Sequence, residues 1–146
     1  MLVGVDANIS PRVARALQEL NPDHDFRGVG AGPATSDAPW ISAFAEAKGD
    51  GLITLDKKVF SRPNEVKALY ESELLTCIFN FGRITDFRVQ SAVIIEYWQY
   101  IEELWSKSDP PKVIRAQPAK SRTIPNFELL EYWLDNDKPR VRASKI

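Results

Sequence analysis

The chain has 146 residues, 44% hydrophobic and 27% charged, with 19 basic and 20 acidic side chains and a net charge of −1. That is the usual size of one globular domain, with enough apolar material for a core. A single cysteine, Cys77, excludes an internal disulfide and a thiolate zinc cluster, and a single histidine, His24, argues against serine–histidine or multi-histidine chemistry. The opening residues lack the basic flank and long apolar run of a secretion signal. No apolar stretch approaches the roughly 20 residues of a bilayer span. A cytoplasmic location with no membrane partner is therefore expected. Charge is unevenly spread: residues 1–106 carry 10 basic and 15 acidic side chains, and residues 107–146 carry 9 and 5. The basic final third either faces a polyanion or is a solvated tail.

In chain order, residues 2–6 read as a buried strand ending on Asp6. Ser10-Pro11 is a helix start, with serine at the N-cap and proline at the first helical position. Val13, Leu17 and Leu20 give that helix one apolar face, and Asn21-Pro22 ends it. Residues 24–29 make a short second strand, and the glycine-rich stretch 30–35 a flexible loop. Ser36-Asp37 opens the next helix, with Trp40, Ile41, Phe44 and Ala45 at helical spacing. Residues 51–56 are a third strand, bounded by Gly51 and by Asp56-Lys57-Lys58. Pro63 starts a short helix, and residues 74–79 are an apolar fourth strand.

Thr85-Asp86 caps the longest helix, to about Lys107, with Phe87, Ile94, Trp98, Ile101 and Trp105 along one stripe. A fifth strand at a sheet edge is expected at 112–115. Phe127, Leu130, Tyr132, Trp133 and Leu134 read as a short helix, and 138–146 as a frayed basic tail. Strands alternating with helices predict a three-layer α/β/α fold around a mostly parallel four- to five-stranded sheet. The expected division is an α/β domain over residues 1–116 and an extension over 117–146, partly helical and packed on the same domain.

Asp6 and Asp56 end parallel strands, and Asp37 opens a helix that starts at the same rim. Three carboxylates there repel one another unless a cation stands between them, and an all-oxygen set suits Mg2+ or Mn2+. Such an ion can acidify a water and stabilise charge on a phosphate. Each acid also has an ordinary role, Asp37 as an N-cap and Asp6 and Asp56 as turn residues. Asn8, Ser10, Thr54 and Lys57 are supporting candidates. Ser10 reads first as the helix cap, Thr54 shares a strand face with Asp56, and Lys57 touches a phosphate, neutralises the carboxylate cluster or is simply solvated.

Val5-Asp6-Ala7-Asn8-Ile9-Ser10-Pro11 resembles the opening motif of PIN-like ribonucleases. Ser36-Asp37 with the helix ending Ala45-Glu46-Ala47-Lys48-Gly49 resembles their second acidic element. Leu52-Ile53-Thr54-Leu55-Asp56-Lys57 resembles the third. The similarity covers about residues 2–82 and is to the short PIN-like toxin subunits of VapBC-type toxin–antitoxin pairs. It implies a metal-dependent endoribonuclease in which Asp6, Asp37 and Asp56 hold Mg2+ or Mn2+ and cleavage leaves a 5′-phosphate. RNA would be the substrate, and a cognate antitoxin protein would block the site. A second copy of the chain is a further candidate partner. The wider pattern has a fourth acid near the third. Lys57-Lys58 stands there instead, and Asp50, Glu65 and Asp86 do not align with it, so one metal is expected.

Two rivals remain. A non-catalytic PIN-like module would bind RNA or a partner without metal. A receiver-like domain would accept a phosphoryl group on Asp56, but it expects paired acids after the first strand, where Ala7 follows Asp6, and a lysine ending the fifth, where Lys112 begins it.

Overall fold

The computed structural model describes residues 1–30, 37–118 and 125–146. The strands are β1 (Leu2–Asp6), β2 (Asp25–Val29), β3 (Gly51–Thr54), β4 (Leu75–Phe79), β5 (Lys112–Ala116), β6 (Phe127–Asp135) and β7 (Lys138–Lys145). The helices are α1 (Pro11–Leu20), α2 (Ala38–Glu46), α3 (Pro63–Glu71) and α4 (Phe87–Ser106). One seven-stranded sheet runs in the order β2-β1-β3-β4-β5-β6-β7. The first five strands are parallel, and β6 and β7 close the far side as an antiparallel hairpin. The loop expected at 30–35 lies, beyond Gly30, outside the described residues.

The apolar runs of β1, β3 and β4 become central strands because helices cover both of their faces. Alternation sorts their side chains between two cores. Val3, Val5, Ile53, Cys77 and Ile114 pack with Val13 and Leu17 of α1 and with Trp98 and Trp105 of α4. Leu52, Ile78 and Val113 pack with Ile41 and Phe44 of α2 and Leu69 of α3. A Cβ on Gly51 would run into the Trp105 ring, so the smallest residue is what lets α4 lie this close to β3. The caps act as expected. The Ser10 hydroxyl accepts from the Arg12 N–H at 3.2 Å, and the Asp86 carboxylate from the Arg88 N–H at 2.8 Å.

Four expectations are corrected. Residues 127–135 are a strand, not a helix. The spacing of Phe127, Leu130 and Leu134 fits a helical turn, but Phe127 belongs to the α1/α4 core and Leu130 to the α2/α3 core, on opposite faces of an extended chain. The basic tail is not frayed, because Lys138–Lys145 pairs with β6 along its length. The connecting turn has φ of 48° at Asn136 and 61° at Asp137, residue types that tolerate the left-handed region a tight hairpin needs. Accordingly β5 is an interior strand, paired to both β4 and β6. Lastly, Leu20 and Phe87 lie outside the cores, at 66% and 53% exposure, each at the outer end of its helix.

Candidate functional site

The chain leaves β1 through α1 to β2 on one side, then returns through α2 to β3 on the other side of β1. The point between β1 and β3 is where the order of strands reverses, and open parallel sheets place their ligand crevice at the carboxyl ends of such a pair. β1 ends there on Asp6, and β3 ends on Thr54, two residues before Asp56. Both helices that cover this face, α2 and α3, begin at the same rim.

Thr54 joins the elements. Its hydroxyl donates to Asp6 Oδ2 at 2.7 Å and accepts from the Asp56 N–H at 3.0 Å and from Asn8 Nδ2 at 3.3 Å. A hydroxyl has one proton and two lone pairs, so all of its capacity is used. Asn8 also accepts from the Leu55 N–H at 3.2 Å, fastening the loop after β1 to the end of β3. Asp6 is buried, and its other oxygen receives the Asn8 N–H at 3.4 Å. Burial raises the Asp6 pKa. The Thr54 bond opposes that rise, and the charges of Asp37 and Asp56 add to it. Gly30, at φ +102°, passes so close that a Cβ there would stand 2.9 Å from Asp6 Oδ1.

Asp37 occupies the N-cap of α2 but makes no capping bond; its Oδ1 accepts from the Trp40 indole N–H at 2.8 Å instead. Asp56 accepts from the Lys58 N–H at 3.0 Å and from the Arg62 guanidinium. A further acid stands with them. Glu65, in the first turn of α3, is 4% exposed; it accepts from the Asp37 N–H at 3.1 Å and from Arg62 at 3.0 Å. Asp37, Asp56 and Glu65 each offer an oxygen within 4.8 Å of the others.

The structure therefore brings Asp37 and Asp56 together with Glu65, and sets Asp6 behind them on Thr54. Ser10 serves α1 as a cap and makes no bond to the acids. Lys57 is exposed and forms no ion pair among the described residues. Sequence reasoning missed Glu65 and Arg62. The signal was Pro63, which fixes the start of α3 just after β3 and so puts Glu65 at the rim that Asp56 occupies. The basic tail is also not free. Arg142 pairs with Glu131 and Arg140 with Asp135, and across the hairpin the charges cancel.

An all-carboxylate donor set, partly buried and mutually repelling, fits a hard divalent cation. The three oxygens all lie within 4.8 Å of one another, against roughly 4.2 Å between opposite ligands of an octahedral magnesium. Among the described residues no helix is long and apolar enough to cross a membrane. A family model described as PIN like domain matches residues 1–80, which hold β1 to β4 and all four acids. No curated protein matches the chain.

Proposed function

We propose, from the premise that this chain belongs to the PIN-like domain family, that it is a divalent-metal-dependent endoribonuclease, the toxin of a toxin–antitoxin pair. PIN-like domains are a nuclease-type fold, and the observation that carries the reading here is the meeting of Asp37, Asp56 and Glu65 at the switch point in front of buried Asp6. These four acids would hold Mg2+ or Mn2+. When bound, such an ion supplies a more acidic water and neutralises charge at a phosphate. The chain's own part is positioning. Thr54 fixes the Asp6 carboxylate from behind, and Asn8 locks the two strand ends together. Asp6, whose pKa burial raises, would accept one proton from the attacking water. As the water oxygen bonds to phosphorus the P–O3′ bond would break and the leaving 3′-oxygen take up a proton from solvent, giving a 5′-phosphate and a 3′-hydroxyl.

Glu65 takes the place of the fourth acid that Lys57-Lys58 did not provide. Residues 1–116 form the working unit in this reading, and the hairpin of β6 and β7 extends its sheet. The cognate antitoxin would cover the rim, and a second copy of the chain is a further candidate partner. RNA in the cytoplasm is the substrate this account requires.

The test is single-stranded RNA incubated with Mn2+ or with chelator. Cleavage should need the metal, yield 5′-phosphate ends, and vanish in Asp6→Asn and Asp56→Asn variants that keep their fold. A folded Asp56→Asn variant with full activity would overturn the reading. One observation favours a non-catalytic module instead: Arg62 already neutralises part of the acidic cluster. That reading predicts RNA binding without a metal requirement and no cleavage. The strand order alone does not exclude a receiver-like domain, which shares it. Against that rival, β5 ends on Arg115-Ala116, and Arg115 is engaged by Glu128. A receiver would take a phosphoryl group on Asp56 from a small phospho-donor.

A further inference from the structure

Arg62 is the residue before α3, at its N-cap, and it makes no capping bond. One guanidinium nitrogen, Nη1, donates to both Asp56 Oδ2 and Glu65 Oε2. The Arg62 side chain is 45% exposed while those of Asp56 and Glu65 are 18% and 5% exposed. The positive charge thus reaches in from solvent onto acids that are themselves largely covered. Among the described residues no other basic side chain pairs with either acid, although Lys57 and Lys58 follow Asp56 directly. Arginine keeps its charge at any ordinary pH. The oxygens it engages belong to two of the three acids whose oxygens stand within 4.8 Å of one another.

We propose that Arg62 is a resident counter-ion that a divalent cation must displace, so that the site loads by exchange of one cation for another. This rests on the metal site proposed above. Without a cation, buried Glu65 would stand unpaired beside two like charges, an arrangement that costs far more than an exposed pair returns. Arg62 removes that cost in the metal-free protein. A dication gripping the same oxygens repels the guanidinium, and the half-exposed side chain can swing into water, where it is well solvated. Cation affinity is therefore lowered by the strength of the Arg62 pairs, and the site stays neutralised when divalent ions are scarce.

The test is thermal unfolding of the intact chain, in chelator and across a Mn2+ titration, for wild type, Arg62→Gln and Arg62→Lys. Arg62→Gln should melt lower than wild type in chelator and recover most of that loss with Mn2+ bound. Its half-saturating Mn2+ concentration should fall about tenfold, with Arg62→Lys between the two. If Arg62→Gln does not fold, Arg62→Lys carries the comparison in the same direction. A variant that melts lower by the same amount with and without Mn2+, at unchanged half-saturation, makes Arg62 a purely structural pair and overturns the inference alone. Absence of any Mn2+ effect on wild type and variants overturns the metal site and the exchange together.

Discussion

At the scale of single residues, the arrangement turns on Thr54, whose one proton and two lone pairs are all committed. Valine has nearly the same shape and none of these bonds. Thr54→Val should cost about 1–3 kcal/mol in urea unfolding and remove activity, while Thr54→Ser should keep most of both. Asp6 gives a pH prediction. Its pKa is raised from 3.8, chiefly by burial, so the folded chain holds the Asp6 proton more tightly than the unfolded chain does. Its contribution to stability is then fully present below pH 3.8 and is lost as pH rises through the folded value. In chelator, wild type should lose stability relative to Asp6→Asn across that rise, measured by denaturation at a series of pH values. A difference that does not change with pH would contradict it. Asp6, Asp37 and Asp56 could be picked from the sequence because each follows a recognisable strand end or helix start. Glu65 met the same criterion, since Pro63 opens a helix at that rim, but an acid in a first helical turn also has the ordinary reading of complementing the helix dipole. Only its burial, which depends on how α2 and α3 pack, separates the two.

At the scale of elements, what was legible was what local pattern decides. Proline and cap residues marked the helix starts, and unbroken apolar runs marked the central strands. The aromatic stripe of α4 belongs to the core. Trp98 lies edge-on to Phe26 and Trp105, with ring centres 4.9 and 5.8 Å away. Trp98→Ala should cost about 3–5 kcal/mol in chemical denaturation. Trp98→Phe should cost much less, because the buried indole N–H it removes has no hydrogen-bond partner. The C-terminal hairpin was not legible. Phe127, Leu130 and Leu134 share a helical face, whereas in a strand Phe127 and Leu130 point to opposite faces, and what selects the strand is the free edge of β5, a tertiary fact. The turn at Asn136-Asp137 was the available local signal. Lysine and arginine along β7 are then explained as protection of an open edge, and no RNA contact is needed to account for them.

At the scale of the molecule, function depends on a reversal of strand order that no short motif encodes. β1 and β3 become neighbours only because β2 is placed outside β1. That placement brings acids from positions 6, 37, 56 and 65 to one crevice. The family match, over residues 1–80, stops short of α4, β5 and the hairpin and covers the part of the chain that carries the acids. The most direct test is calorimetric titration of Mn2+ into the folded chain and into Glu65→Gln. The account predicts saturable binding by wild type and at least about a tenfold loss of affinity in the variant. Binding of equal strength in both, with the variant shown to be folded, would contradict it.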